Sequence, residues 1–109
     1  MKVLLIGGTG VLSTDIAYNA KKSGYDVYIL NRGTKKSPYV NQENVIISNI
    51  RDTTTTKNKL KGMSFDVIVD FLSFNKKELK NTMNICQGIC KQYIFISSAT
   101  AYDRTVSNL

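Results

Sequence analysis

Seven residues near the N-terminus, Gly7-Gly8-Thr9-Gly10-Val11-Leu12-Ser13, have the composition and spacing to hold a phosphate group. They follow an apolar β-rich run, Lys2 to Ile6, and open a stretch in which Val11, Leu12, Ile16 and Ala20 recur at helical spacing. A turn in that position aims backbone N–H groups and a helix dipole at an anion, and a Cβ at its glycines would obstruct the approach. The competing explanation is a glycine-rich turn with no ligand. A turn between strand and helix argues against it, and Gly7, Thr9, Gly10, Val11 and Leu12 are therefore candidate cofactor-binding residues.

The chain has no histidine, which removes the commonest general base and every histidine-containing triad. Proton transfer would have to use Tyr, Lys, Asp, Glu or a cofactor. Cys86 and Cys90 stand four apart in what reads as a helix, where they would share a face as ordinary buried thiols, and no ligand spacing supports a metal site. At the end of the second apolar run, Asn31 and Arg32 occupy the place where NAD-selective sites put a carboxylate. No anion there repels a 2′-phosphate, and Arg32, Lys35 and Lys36 can hold one, so NADP is favoured and NAD remains an option. The other reading of Arg32 is a solvated turn cation.

These residues need a scaffold. With 109 residues, 42% of them apolar, the chain is one domain large enough for a core without disulfides or metal. Apolar runs such as Val3 to Ile6 and Val67 to Val69 are too short to cross a bilayer, and no signal-peptide pattern opens the chain, so a cytoplasmic protein is expected. The net charge of +7, from 15 Lys and Arg against 8 Asp and Glu, invites a nucleic-acid reading, but the lysines cluster on separate segments that read as solvated helix faces.

Gly24 closes the first helix, and Asp26 to Leu30 gives a second strand. Asn31 to Asn44, with the only proline, is expected as a surface loop without a long helix, and Val45 to Ile47 as the third strand. Asp52 and Thr53 to Thr56 offer caps for a short helix over Lys57 to Lys61. Phe65 to Phe71 and Tyr93 to Ile96 read as strands four and five, with a crossover helix over Lys76 to Cys90 carrying Leu79, Met83, Cys86 and Cys90 on one stripe. This alternation predicts an α/β fold, a Rossmann-type doubly wound parallel sheet of five strands in the order 3-2-1-4-5. Its ligand crevice falls where the order reverses, between strands one and four, lined by Gly7 to Leu12, Asn31-Arg32, Phe71 to Phe74 and Ser97 to Ala99.

On these residues the chain resembles the N-terminal half of the extended or atypical short-chain dehydrogenase/reductase superfamily, the branch of NAD-dependent epimerases and dehydratases. Gly7 to Ser13 is similar to the family's Thr-Gly-x-x-Gly-x-x-Gly region, with Ser13 in place of the last glycine. Ser48-Asn49-Ile50-Arg51-Asp52 resembles its Gly-Asp-Leu/Ile-Arg-Asp segment, which implies that Asn49 and Ile50 touch the adenine, although an aspartate is usual at residue 49. Asp66 to Ser73 stands where the family's fourth strand ends in His-x-Ala-Ala/Gly. Asp70 replaces the histidine, and Phe71, Leu72 and Ser73 would lie along the ribose and phosphates, with Leu72 and Ser73 replacing the small pair. Tyr93 to Tyr102 resembles the family's Ser-Ser-x-x-x-Tyr signature, which implies that Ser98 is catalytic and orients the substrate's reacting oxygen, with Thr100 and Tyr102 nearby.

The resemblance implies that residues 1–109 are a dinucleotide-binding domain, inactive alone, and that the family's catalytic Tyr-x-x-x-Lys helix and substrate domain lie outside this sequence. The string Tyr18 to Lys22 has that spacing but belongs to the helix after the phosphate turn, which reads as coincidence. The expected parent is an epimerase, dehydratase or reductase using a dinucleotide and a nucleotide sugar or related small molecule. The alternatives are a non-catalytic NADP-binding sensor and an RNA-binding atypical relative. Self-association through an exposed apolar face is also expected.

Overall fold

A computed structural model of the chain describes residues 1–7, 11–33, 39–73, 75–96 and 105–107. Strand β1 (Lys2–Ile6) leads to helix α1 (Val11–Lys22), and strand β2 (Asp26–Asn31) follows. After a short 3-10 turn at Gln42–Asn44 come β3 (Val45–Ile47), α2 (Thr53–Leu60), β4 (Phe65–Asp70), α3 (Lys76–Cys86), β5 (Cys90–Ile96) and β6 (Thr105–Ser107). The sheet order is β3-β2-β1-β4-β5-β6, so the five parallel strands stand in the expected order 3-2-1-4-5. One addition was not foreseen: β6 pairs antiparallel to β5, with Phe95 opposite Val106.

The central strand β1 is flanked on both sides, Val3 aligning with Val27 of β2 and with Val67 of β4. A strand buried on both faces must be apolar throughout, and Leu4, Leu5 and Ile6 are fully buried. Alternate positions along each strand feed two cores. Leu4, Ile6, Leu30, Ile68 and Tyr93 join Leu60 of α2 with Ile85 and Cys86 of α3, while Val3, Leu5, Ile29 and Val69 pack with Ala17 and Ala20 of α1. Each fully buried Leu or Ile contributes about 1.5–3 kcal/mol of transfer free energy.

Two boundaries differ from the periodicity. Helix α2 begins at Thr53, because Asp52 alone caps it, its carboxylate accepting from the Thr55 N–H at 3.2 Å, and the threonines form the first turn. Helix α3 stops at Cys86, where Gln87 turns extended and Gly88 takes a φ of +83°. Cys90 therefore opens β5 opposite Phe65 rather than sharing a helical face with Cys86. Its thiol still lies 3.6 Å from the Cys86 carbonyl oxygen. Among the described residues no helix is long and apolar enough to cross a membrane.

Candidate functional site

The carboxyl ends of the parallel strands bring four loops to one edge of the sheet. At the end of β1, Gly7 has a φ of +82°, a conformation that costs other residues strain, and its N–H donates to the Leu30 carbonyl at 2.8 Å. A Cβ on Gly7 would lie 2.5 Å from Cγ and 2.7 Å from Cδ2 of Leu72. The half-buried Leu72 side chain thus sits on Gly7, at the mouth of the crevice between β1 and β4.

Thr9 and Gly10 lie outside the described residues, whereas Val11 and Leu12 form the start of α1. That first turn carries no acidic residue and the last turn carries Lys21 and Lys22, a charge distribution that leaves the helix dipole at its N-terminal end without a compensating side-chain carboxylate in the turn. The N-termini of helices α2 and α3 are capped by Asp52 and Asn75. Ser13, in place of the family's third glycine, is 2% exposed, so a small side chain is accommodated where the helix meets the sheet.

At the end of β2 the buried Asn31 folds the next turn: its Oδ1 accepts from the Gly33 N–H at 2.7 Å and its carbonyl accepts from the Ser48 N–H at 2.8 Å. Gly33 has a φ of +81°, and Arg32 projects from this turn exposed to solvent. Lys36 lies outside the described residues.

The loop after β3 is tied down by hydroxyls. Thr56 Oγ1 lies 2.8 Å from Ser48 Oγ and donates to the Asn49 carbonyl at 2.9 Å. Asn49 is exposed, with Oδ1 accepting from the Arg51 N–H at 3.0 Å, whereas Ile50 is 5% exposed and packs in the core. Arg51 reaches across the crevice edge: its Nη2 donates to the Leu72 carbonyl at 2.8 Å and lies 3.2 Å from Glu78 Oε1.

The fourth loop holds a feature that the sequence reading missed. Asp70 is fully buried at the end of β4. Its Oδ1 accepts from the N–H groups of Leu72 at 2.8 Å and Ser73 at 3.2 Å. Its Oδ2 accepts from the hydroxyls of Ser73 and Tyr93, and Thr82 Oγ1 lies 3.3 Å from Ser73 Oγ. A carboxylate taken out of water needs this many donors to offset its lost hydration. Asp70 thereby shapes the turn that presents Phe71 and Leu72, both half-buried, while Ser73 faces inward. The signal in the sequence was an acid directly after the apolar run Val67 to Val69.

Burial, reinforced by the neighbouring Asp70, pushes the Tyr93 hydroxyl far above the ordinary tyrosine range. Burial does the same to the Cys86 thiol, with Cys90 and Asp70 adding to it. Both groups keep their protons in the fold, whereas the unfolded chain releases them above about pH 8.5 for Cys and about pH 10 for Tyr. Their contribution to stability is complete below those values and falls as pH rises beyond them, at up to about 1.4 kcal/mol per pH unit for each group. Urea unfolding from pH 7 to 11 should show this decline, and Tyr93→Phe should remove the part that begins near pH 10.

Ser98 and the neighbouring Ser97, Thr100 and Tyr102 lie outside the described residues, beyond the end of β5. Tyr18 is exposed on α1 and packs edge-on against Tyr39 with ring centroids 5.2 Å apart, which suits a surface role.

The family model for the NAD-dependent epimerase/dehydratase family matches residues 3–107. The chain belongs to that family. Membership implies a nicotinamide dinucleotide ligand, and the epimerase/dehydratase fold accounts for the sheet order found here. Among solved structures, Pal from Bacillus thuringiensis is 18% identical, with a TM-score of 0.71 over 97% of this chain and 42% of its own. The UDP-Glc/GlcNAc 4-epimerase from Campylobacter jejuni is 17% identical, with a TM-score of 0.69 over 86% of this chain and 36% of its own. An epimerase from Methanothermobacter thermautotrophicus is 17% identical, with a TM-score of 0.64 over 86% of this chain and 34% of its own. The chain spans less than half the length of each of these structures. No curated protein matches it.

Proposed function

We propose that residues 1–109 are the NAD(P)-binding half of an epimerase, dehydratase or reductase-like oxidoreductase acting on a nucleotide sugar or a related small molecule. The observation that carries this reading is the convergence of four loops at the switch point of the sheet. Gly7 meets Leu72, Arg51 meets the Leu72 carbonyl, and Asn31 meets Ser48, so the turns expected to hold a dinucleotide are physically joined. A glycine at positive φ before a helix with no acid in its first turn fits a pyrophosphate. The bound nicotinamide would supply hydride exchange at its C4 carbon. Ser98 would orient the substrate's reacting oxygen, and a tyrosine outside these residues would move the proton.

NADP is the favoured cofactor. The end of β2 carries an amide, Asn31, whose oxygen serves the turn, and the exposed guanidinium of Arg32 stands beside it. Calorimetric titration of the chain with NADPH and NADH at fixed ionic strength tests the reading. Tight NADPH and weak NADH binding are expected, and binding of neither overturns the site. Arg32→Ala should lower NADPH affinity by about 1–3 kcal/mol and barely change NADH affinity, because it deletes a charge-assisted contact to the 2′-phosphate. Equal losses for both would remove Arg32 from that role.

A further inference from the structure

The backbone of Leu72 is held on both sides by side chains. Its N–H donates to buried Asp70 Oδ1 at 2.8 Å, and its carbonyl accepts from Arg51 Nη2 at 2.8 Å. Arg51 is itself aimed by two neighbours, its own N–H donating to Asn49 Oδ1 at 3.0 Å and its guanidinium lying 3.2 Å from Glu78 Oε1 in the first turn of α3. One guanidinium therefore joins the β3–α2 loop, the β4–α3 loop and α3. Its side chain is 40% exposed, and an ion pair so open to water adds little to global stability. The geometry it sets is local: with the Leu72 backbone fixed on both sides of Cα, the Leu72 side chain is seated on Gly7, where a Cβ would lie 2.5 Å from Cγ. That seat lies where β1 and β4 diverge, Ile6 being paired with Asp70 just below it.

We propose that Arg51 is a positioning residue of the dinucleotide site, acting through the Leu72 carbonyl to hold the Leu72 side chain against Gly7 and so to fix the wall past which the pyrophosphate runs. The inference rests on the dinucleotide reading given above. A planar, forked donor suits the task, since it reaches a carbonyl and a carboxylate at once, which a lysine ammonium does less well.

The test is a double-mutant cycle on the full chain, with Arg51→Gln, Leu72→Ala and the pair titrated against NADPH and NADH. Arg51→Gln is expected to weaken both nucleotides by the same factor, about tenfold. In the Leu72→Ala background the same change should cost less than about twofold, because the residue it acts through is gone. Arg51→Lys should behave like Arg51→Gln. Three results overturn the proposal: a loss that persists in the Leu72→Ala background, as a direct phosphate contact would give; a loss confined to NADPH; or unchanged affinities with a lowered melting temperature, as a purely structural arginine would give.

A ligand-free readout separates this inference from the site reading. In amide NMR spectra, Arg51→Gln should shift the Gly7 and Leu72 resonances together while most others stay in place, and an unmoved Gly7 resonance overturns the clamp. Wild-type chain that binds neither nucleotide overturns the site reading and this role for Arg51, whereas the Gly7 resonance still reports whether the clamp exists.

Discussion

Gly7→Ala should destabilise the chain by about 2–5 kcal/mol and abolish measurable dinucleotide binding. Two costs combine. The backbone at Gly7 has a φ of +82°, which any residue with a Cβ adopts at about 1–2 kcal/mol. The new methyl would also lie 2.5 Å from Leu72 Cγ, the branch point of that side chain rather than its flexible tip, and such overpacking costs about 1–3 kcal/mol. Leu72 cannot retreat freely, because Asp70 and Arg51 hold its N–H and carbonyl. The melting temperature should fall by roughly 10 °C or more. Adding Leu72→Ala should recover the steric part and leave the backbone part, so Gly7→Ala should cost about 2 kcal/mol or less in that background. A cost under about 1 kcal/mol for Gly7→Ala alone would mean that Leu72 does not sit on Gly7.

Asp70→Asn should lower stability by about 2–4 kcal/mol, which is large for a change of one atom type. The carboxylate receives two backbone N–H groups on one oxygen and two hydroxyls on the other. An amide keeps its oxygen on the two N–H groups only by turning its NH2 toward Ser73 and Tyr93, whose hydroxyls must then accept and redirect their own buried protons, and the four charge-assisted hydrogen bonds to the carboxylate are lost. Tyr93→Phe removes one donor and leaves the carboxylate three, so its cost should be about 1–2 kcal/mol. Urea unfolding of the two variants and of the double variant checks the arrangement. The Tyr93→Phe change should cost less once Asp70 is Asn, because the partner it served has changed. An Asp70→Asn variant within about 0.5 kcal/mol of wild type would overturn the network.

The sequence by itself determined the layers, the order of the five parallel strands and the place where that order reverses. Those follow from local physics: β-branched apolar runs alternate with helical periodicity, right-handed crossovers admit few topologies, and glycines between Ile6 and Val11 mark a turn that a Cβ would obstruct. The exposed Arg32 and the cap Asp52 were equally legible, since each acts within a few positions along the chain. What could not be read was any interaction whose partners are distant in sequence. The helix stripe carried Cys90 into α3, but pairing with Phe65 puts it on β5.

Ile50 was expected at the adenine and its side chain packs in the core. Asp70 read only as a substitution for a family histidine, yet the tertiary structure makes it the acceptor for Tyr93, 23 positions away, and for the turn that follows it. Leu72 read as a departure from a small residue, and the fold sets it against Gly7, 65 positions earlier, with Arg51, 21 positions earlier, holding its carbonyl. The physical reason is common to all four. Periodicity and turn chemistry encode how a segment folds on itself, whereas a buried charge, a seated side chain or a guanidinium bridge is decided by whichever distant groups the finished sheet brings within about 3 Å.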